Sequence, residues 1–358
     1  MTSPYPKKPA RRSSLAYFPD WSHYNPYQAL LYSAVSKFGI SCTGFSGNEF
    51  TLKWLLRYAM RFKTIHLHWL SGICRENGRD ISGRYLLQMY GKILTARLLG
   101  CRVLWTVHNV LPHEASGSHR EIRLRHLVGK SVNKVLVHCR YAKDLVSDAW
   151  GVREEKIVVV PHGAYTESVS EGKDRVAARK RLNIEGGKFT FLFFGMIREY
   201  KGVVELVRAF ADIAKADDNV HLVIAGEPQS ENLKTELEDT CRDGRVSLSL
   251  FRIPDADVPV YFNAADVVVL PYAEVLTSGT ALLAFSLGKG IIAPEMGCLP
   301  ELVSENTAIL YKSKDQLKEA MAAAIGRMNR PTVREEALKI ARSLQWDDIV
   351  RKHFMSLL

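Results

Sequence analysis

The feature that most constrains the fold is the alternation, along the whole chain, of short β-branched and aromatic runs with longer segments of helical period. This alternation is typical of parallel sheets covered by helices, because each parallel connection needs a long crossover. We therefore predict an α/β protein. The predicted strands lie near Ser14–Phe18, Thr64–Trp69, Arg102–His108, Lys134–His138, Ile157–Val160, Phe189–Phe194, His221–Ala225, Val246–Leu250, Asp266–Leu270 and Gly290–Ala293.

Two doubly wound domains are expected, because 358 residues is about twice the usual size of one domain. The segment 161–173 is rich in Gly, Ser, Thr and charge and has neither a helical nor a strand period, so it is predicted to be the linker. We predict an N-terminal domain over 1–165, a C-terminal domain over 166–344, and a closing helix over 345–358.

The net charge of +11 is concentrated in the first half of the chain. Residues 1–165 hold 24 Lys and Arg against 10 Asp and Glu, whereas the remainder holds 25 against 28. A basic half fits nucleic acid, an anionic membrane surface or a phosphorylated substrate. Charge alone does not choose among these partners.

The sequence also limits the compartment. No apolar run approaches the ~18 residues of a membrane-spanning helix, and the apolar stretch Leu15–Phe18 is too short for a signal peptide. The six cysteines are far apart and form no C-x-x-C pair, which argues against a zinc knuckle and a disulfide framework. We therefore expect a cytoplasmic protein.

The sharpest chemical signal follows the strand near Phe191. There the sequence GMIREYKG runs from Gly195 to Gly202 and leads into an amphipathic helix. A glycine at a strand end lets the backbone turn closely, and Arg198 and Lys201 can converge on one anion. Because guanidinium and ammonium groups neutralise phosphate without a metal, we predict a diphosphate clamp.

A second anion-binding element is predicted at Ser278-Gly279-Thr280, which opens an apolar helix after Leu270-Pro271-Tyr272. Free N–H groups and the helix dipole favour a phosphate at such a helix N-terminus. Ordinary N-capping explains the hydroxyl residues equally well, so this signal gains weight only beside the first one.

The motifs together resemble the GT-B glycosyltransferases, in particular family 4, and they run along nearly the whole chain. The shared motifs are H-x-H (His66, His68), T-x-H-N (Thr106–Asn109), P-H-G (Pro161–Gly163), G-x-x-x-x-x-K-G (Gly195–Gly202), A-G-E (Ala225–Glu227) and A-D-x-x-x-x-P-Y (Ala265–Tyr272). The resemblance implies two Rossmann-like domains facing across a cleft, with the closing helix packed back on the N-terminal domain. It also implies a nucleotide-sugar donor.

One departure from family 4 concerns the outcome of the reaction. That family usually carries two glutamates eight residues apart, where this chain has Val275 and Leu283, with Glu274 one residue off. The chain is more similar to the inverting β-mannosyltransferases of exopolysaccharide assembly. The features shared with them are Asn25–Tyr27, Ile65–Trp69, His108–Glu114, Phe194–Gly202, Leu270–Tyr272 and Ser278–Thr280.

That closer resemblance implies GDP-mannose as donor, a polyprenyl diphosphate-linked oligosaccharide as acceptor, and a β-linkage. The alternative enzyme is a retaining hexosyltransferase that uses a UDP-sugar, with Glu274 in the role of the lost glutamate. An alternative of another class is a nucleic-acid-binding protein that uses the basic half. Against it, the sequence has no RNA-recognition or helix-turn-helix signature beyond charge, and we expect no nucleic acid partner.

Inversion requires a base that takes the proton of the acceptor hydroxyl. The candidates are Glu114, His108 and Asp20. His108 matches the family histidine that touches the donor sugar, so we assign it donor positioning and favour Glu114 as the base. His66 and His68 could ligate a metal, but no carboxylate or cysteine falls at ligand spacing. We therefore expect no metal and no other cofactor.

Donor recognition is predicted around two further segments. Phe251, Arg252 and Ile253 follow a strand and could frame the base, with Tyr272 and Glu274 toward the sugar. The sequence does not separate guanine from uracil.

The basic half is predicted to dock on the inner face of the cell membrane. The segments 51–63 and 83–99 place aromatic and apolar residues among cations, as in helices that lie on anionic lipid. Core-facing aromatics with a solvated basic edge explain either helix equally well. The acceptor and membrane candidates are Asn25, Trp54, Arg57, Arg61, Lys63, Arg84 and Lys92.

Overall fold

The structure, a computed structural model, describes residues 14–74, 83–109, 119–167, 174–241 and 244–358. The chain divides into two compact units. The first unit contains the residues up to Gly163 together with Trp346–Leu358, and the second contains Ala164–Gln345.

The first unit is built on a parallel sheet of six strands in the order β2-β1-β3-β4-β5-β6. The strands are β1 (Ser14–Phe18), β2 (Ser41–Gly44), β3 (Thr64–Leu67), β4 (Arg102–Thr106), β5 (Lys134–Val137) and β6 (Ile157–Val159). The helices are α1 (Pro26–Lys37), α2 (Leu52–Tyr58), α3 (Ser71–Cys74), α4 (Gly83–Leu98), α5 (His119–Ser131) and α6 (Arg140–Trp150).

The second unit repeats this architecture with the order β12-β11-β10-β7-β8-β9. Its strands are β7 (Phe189–Phe194), β8 (Val220–Ala225), β9 (Val246–Ser249), β10 (Val267–Val269), β11 (Gly290–Pro294) and β12 (Ala308–Tyr311). Its helices are α7 (Arg175–Arg181), α8 (Val203–Ala216), α9 (Glu231–Thr240), α10 (Val258–Ala264), α11 (Gly279–Ser286), α12 (Leu299–Leu302), α13 (Leu317–Ala324) and α14 (Pro331–Ser343).

Each sheet has one point where the strand order reverses. In the first sheet the chain moves outward from β1 to β2, then returns to the other side of β1 with β3. In the second sheet it moves from β7 to β9 on one side and resumes with β10 on the other side. Ligands of open α/β sheets bind outside the carboxyl ends of the strands at such reversal points. We therefore expect ligand-binding sites at the loops after β1 and β3 and at the loops after β7 and β10.

The predicted α/β architecture with two doubly wound sheets is confirmed, but two strands were missed. β2 and β12 are the outer strands on one edge of their sheets. β2 has the sequence SCTG and no fully buried residue, so it shows no apolar run. A short strand without an apolar run gives no hydrophobic signal in the sequence.

The last segment completes the first unit. It forms α15 (Trp346–Ile349), continues through a π-helical turn over Val350–Phe354 and ends in a 3₁₀ turn. Trp346 is buried and its ring lies 5.2 Å from that of Tyr27. Lys37 of α1 donates to Asp347 at 2.9 Å. The predicted closing helix is thus part of the first unit's core.

Along the residues described, no helix combines the length and the apolar character that crossing a membrane requires.

Candidate functional site

The carboxyl end of β7 carries the predicted clamp. Gly195 has φ +112°, a conformation that side chains rarely adopt, so the turn depends on glycine. A Cβ atom on Gly195 would lie 3.6 Å from both the Lys201 Nζ and the Thr280 Oγ1. The two loops predicted from sequence therefore converge on one point, at the reversal of the second sheet.

Burial changes the acid–base behaviour of Lys201. It lowers the pKa of the ammonium group from 10.5 to about 8, and the neighbouring charge of Arg198 lowers it further in the same direction. The Lys201 Nζ also lies 5.7 Å from the centre of the Tyr272 ring. A partly buried cation without a carboxylate among these neighbours is suited to bind an anion.

The second loop presents the N-terminus of α11. Ser278 is buried and caps the helix, its hydroxyl accepting from the Ala281 N–H at 3.2 Å. Ser278 and Thr280 also hydrogen-bond the hydroxyl of Tyr272. The Ser278 hydroxyl thus satisfies the Ala281 N–H. The other N–H groups of the first turn of α11 are the donors that a ligand can use.

The two loops are joined by backbone. The Ala273 N–H donates to the Tyr200 carbonyl at 2.8 Å. On the other side, a Cβ atom on Gly226 would lie 2.1 Å from the Gly195 carbonyl oxygen, so β8 must be followed by glycine for the turn to pack. The clamp is thus held by strand ends and not by a mobile surface loop.

The predicted base- and sugar-binding residues lie after β9 and β10. Phe251 is 54% exposed and Arg252 is exposed, whereas Ile253 is buried in the core of the second unit. Glu274 is exposed, and Tyr272 is buried beside Lys201. Their contacts with a donor stay predictions.

The reversal of the first sheet carries aromatic rings. Trp21 follows β1 and stacks on Trp69, which follows β3, with ring centres 4.9 Å apart. Trp69 in turn stacks on His108 at 4.1 Å. Trp21 is 36% exposed even though Gly72 packs closely against its ring. Exposed, fixed aromatic rings are suited to stacking on an apolar face of a ligand.

Asp20 lies beside these rings at the end of β1. Its Oδ1 accepts from the Ser22 N–H at 3.0 Å and from the Ser22 hydroxyl at 2.6 Å. The Oδ2 lies where Gly44 has no side chain, since a Cβ there would be 2.2 Å away. The carboxylate is therefore held in one orientation.

A chain of buried polar side chains ends at His108. The Thr106 hydroxyl is 2.7 Å from His66 Nε2, and His66 Nδ1 is 2.9 Å from the Tyr32 hydroxyl. That hydroxyl is 2.5 Å from His68 Nε2, and His68 Nδ1 is 3.0 Å from His108 Nε2. Burial lowers the pKa of His66 to about 3 and those of His68 and His108 well below 6.5. These histidines are therefore neutral at physiological pH.

Two more histidines, the buried His138 and the partly buried His162, lie around the same aromatic core. His138 donates from Nδ1 to the Val160 carbonyl at 2.9 Å, and His162 donates to the Gly163 carbonyl at 2.8 Å. Burial lowers their pKa values to about 4 and about 3. The Tyr27 ring lies within 5.5 Å of both.

The ring nitrogens of His66 and His68 are engaged in hydrogen bonds, which leaves them no free lone pair for a metal. In the parts of the chain that are described, no group of three His, Cys, Asp or Glu side chains could hold a metal ion.

Glu114, the favoured base, lies outside the described residues. Asn25 caps α1, its side chain accepting from the Tyr27 N–H at 3.0 Å.

The proposed membrane face of α2 differs from the prediction. Trp54 is only 5% exposed and packs against Phe18, Phe45 and Phe62, so its assignment to the surface is wrong. The apolar side chains that α2 and the turn after it expose are instead every fourth residue from Leu52, namely Leu52, Leu56 and Met60. Arg57, Arg61 and Lys63 are exposed, and their contact with a membrane stays a prediction.

α4, which carries the other membrane candidates, packs on α2. Arg84 is exposed and Leu87 is 72% exposed. Lys92 is half-buried, with its Nζ 5.7 Å from the centre of the Phe50 ring.

Comparison with known proteins identifies the family. Residues 188–330 match a family model described as glycosyl transferases group 1, and residues 55–168 match one described as glycosyltransferase family 4. Between them the two matches take in most of the chain. The chain belongs to the GT-B glycosyltransferases. As a glycosyltransferase it is an enzyme, and the resemblance inferred from the motifs is confirmed.

Two relatives illustrate the range of the family. GDP-mannose:glycolipid 4-beta-D-mannosyltransferase of Xanthomonas campestris pv. campestris is 28% identical over 81% of this chain and 76% of its own. D-inositol 3-phosphate glycosyltransferase of Corynebacterium aurimucosum is 26% identical over 72% of this chain and 61% of its own.

Solved structures of the same fold cover nearly the whole glycosyltransferase. Sucrose-phosphate synthase from Thermosynechococcus elongatus has a TM-score of 0.72 at 15% identity, covering 95% of this chain and 97% of that one. HepE of Anabaena, solved with UDP-glucose, has a TM-score of 0.71 at 16% identity, covering 97% and 100%.

Sequence reasoning missed the residues at the reversal of the first sheet. Trp21, Trp69 and Tyr32 were not among the candidate site residues. A usable signal was present in PDWSHYN, residues 19–25, which is an aromatic-rich loop directly after a predicted strand. Tyr32 gave no signal, because only the fold shows that it lies between His66 and His68.

Proposed function

We propose that this glycosyltransferase transfers mannose from GDP-mannose, with inversion, to a polyprenyl diphosphate-linked oligosaccharide in exopolysaccharide assembly. The observation that carries the use of a nucleotide sugar is the convergence of Lys201 Nζ and Thr280 Oγ1 beside Gly195. This point lies at the strand ends where open α/β sheets bind nucleotides.

The clamp supports departure of a nucleoside diphosphate. Lys201 and Arg198 supply positive charge, and the first turn of α11 supplies N–H donors. Fixed donors and cations at a leaving group stabilise the negative charge that develops as the glycosidic bond breaks. We infer that these groups make the transfer independent of a metal ion.

The choice of mannose is supported by the similarity to the GDP-mannose:glycolipid mannosyltransferase. Several other relatives are named as D-inositol 3-phosphate glycosyltransferases, at 24 to 27% identity against 28% for the mannosyltransferase. The residue types around the clamp do not themselves select guanine, so the donor is the first point to test.

We place the acceptor sugar on the first unit, at the rings of Trp21 and Trp69. Sugars present apolar C–H faces to aromatic rings and hydroxyls to carboxylates, and Asp20 lies next to Trp21. A carboxylate there can accept the proton of the attacking hydroxyl. Glu114 remains our preferred base, with Asp20 the alternative among the described residues.

The exposed face of α2 is suited to contact the membrane that holds the lipid part of the acceptor. Leu52, Leu56 and Met60 form an apolar row, and Lys53, Arg57 and Arg61 form a cationic row one residue on. Paired apolar and cationic rows are typical of helices that bind anionic membrane surfaces. We infer that the enzyme works as a peripheral protein on such a surface.

The experiment has two stages. A thermal-shift panel of GDP, UDP, CDP and dTDP in the presence of EDTA is expected to show a selective shift with GDP, because a ligand of the folded state raises its melting temperature. GDP-mannose is then incubated with a lipid-linked oligosaccharide, and the anomeric configuration of the product is read by NMR. A β-linked mannose is expected.

The double variant Arg198→Ala, Lys201→Ala tests the clamp directly. The double variant should keep the fold and lose both the GDP shift and turnover. A selective shift with UDP would assign a UDP-sugar as the donor instead of GDP-mannose. An α-linked product would overturn inversion. Substantial activity in the double variant would refute the clamp.

A further inference from the structure

The chain of side chains that ends at His108 has a direction. A neutral imidazole has one N–H and one bare nitrogen, and a hydroxyl has one hydrogen to donate. Each of the neutral His66 and His68 bonds to two neighbours, so it donates to one and accepts from the other. The buried Tyr32 hydroxyl keeps its hydrogen paired only if it donates to one of these histidines and accepts from the other. Fixing the direction of one bond therefore fixes the direction of all four.

Thr106 selects between the two directions. Its side chain is 1% exposed, and within the residues described His66 Nε2 is the one partner of its hydroxyl. If the hydroxyl accepted from His66, its own hydrogen would be buried without an acceptor, which is strongly unfavourable. The Thr106 hydroxyl therefore donates to His66.

The remaining bonds follow from that choice. His66 then donates from Nδ1 to Tyr32, and Tyr32 donates to His68 Nε2. His68 donates from Nδ1 to His108 Nε2, so the hydrogen of neutral His108 is on Nδ1. Burial supports the neutral state, because it raises the pKa of Tyr32 and lowers the pKa of each histidine.

We propose that Thr106, His66, Tyr32 and His68 are positioning residues that hold His108 as a hydrogen-bond donor through its Nδ1–H. With Nε2 accepting from His68 and Nδ1 protonated, His108 has no bare nitrogen left and is not the base of the reaction. It binds an oxygen of the substrate, a sugar hydroxyl or a phosphate oxygen. The assignment of that oxygen to a substrate rests on the proposed function, but the tautomer does not.

The tautomer is tested on the full chain without substrate. Histidine is labelled with ¹⁵N, and long-range ¹H–¹⁵N correlation spectra at pH 7.5 report which ring nitrogen carries the hydrogen. The His108 signals are assigned by their loss in His108→Gln. Hydrogen on Nδ1 is expected, and hydrogen on Nε2 overturns the proposal whether or not the enzyme uses GDP-mannose.

Two variants of Thr106 test whether its hydroxyl fixes the tautomer of His108. Thr106→Val removes the hydroxyl, so the fraction of His108 with hydrogen on Nδ1 should fall, and kcat/KM should fall by roughly five- to tenfold, the usual effect of one hydrogen bond. Thr106→Ser keeps the hydroxyl and should keep both the tautomer and kcat/KM within about twofold of the parent. Identical spectra for the two variants would overturn the proposal.

Comparing GDP with GDP-mannose identifies the oxygen. If Thr106→Val weakens binding of GDP-mannose alone, His108 donates to the sugar, and if both weaken, it donates to the diphosphate. Thermal melting checks that each variant is folded. Should Thr106→Val fail to fold, the parent spectrum still decides the tautomer.

Discussion

A Cβ atom on Gly202 would lie 2.2 Å from the carbonyl oxygen of Pro271. Gly202 has φ +62° and is the N-cap of α8, while Pro271 follows β10. The two loops of the clamp therefore touch, backbone to backbone, at a position that only glycine can occupy. The sequence pattern located both loops, but this contact is what fixes their spacing.

Gly202→Ala should damage both stability and binding. The left-handed backbone conformation and the clash with Pro271 together should cost about 2 kcal/mol or more of the free energy of unfolding. Nucleoside diphosphate binding should fall as the loops separate. Gly186→Ala is the control, because a Cβ there meets nothing within 4 Å. Urea unfolding and diphosphate titration measure both effects, and equal behaviour of the two variants would contradict the argument.

Diphosphate binding should weaken above pH 8. The pKa of Lys201 is about 8 in the free enzyme, so the ammonium loses its proton as the pH rises through that value. Affinity measured by calorimetry should fall by up to about tenfold per pH unit above 8 if this charge is required. Lys201→Arg keeps its charge to high pH and should remove the dependence. A parent enzyme with constant affinity from pH 7 to pH 10 would exclude the role of this lysine.

Acid should unfold the first unit before the second. His66, His138 and His162 are neutral in the folded state, with pKa values of about 3 to 4. The unfolded chain binds their protons below about pH 6.5, so stability is full above that pH and falls by up to about 1.4 kcal/mol per pH unit for each group on acidification. All six tryptophans lie in the first unit, and the second has one histidine, His221.

Tryptophan fluorescence therefore reports the first unit alone. The urea midpoint of the first unit should drop much more between pH 7.5 and pH 5 than the urea midpoint of the second unit. Unfolding of the second unit is measured by hydrogen exchange at β7 and β8. Equal shifts of the two transitions would show that the histidines are not the cause.

Trp21→Ala should affect the acceptor and not the donor. Loss of one stacking ring should raise the KM for the lipid-linked oligosaccharide by roughly three- to tenfold. Binding of the nucleoside diphosphate should be unchanged. His23→Ala, an exposed neighbour in the same loop, is the control. A Trp21→Ala enzyme that loses donor affinity instead would place the acceptor elsewhere.

Replacing Leu52, Leu56 and Met60 together by Gln should weaken binding to vesicles that contain anionic lipid by at least about tenfold, because three apolar side chains no longer enter the interface. Sedimentation with vesicles measures it. Val176→Gln, which changes an exposed apolar residue of α7, should bind like the parent. Binding of the parent to neutral vesicles with equal strength would rule out the cationic row as a contributor.

The sequence could predict the elements whose signal is local. The ten predicted strands lie close to their predicted positions, and the Gly195 and Ser278 loops follow from a strand, a turn glycine and a capping residue. Trp54 was misassigned because a seven-residue helix such as α2 is too short for its buried side to be read from periodicity. The pairing of Tyr32 with His66 depends on α1 lying against β3, a long-range contact that local pattern does not encode.

The division of the chain has a consequence for how such enzymes can be recombined. The whole second unit is one uninterrupted stretch, Ala164–Gln345, whereas the first needs two stretches, because Trp346 and Phe354 belong to its core. A genetic exchange of the single cassette 164–345 would therefore transplant the whole second unit, including both the Gly195 and the Ser278 loops. The reverse exchange, made by a single crossover, would leave the recipient with a first unit whose tail comes from the other parent.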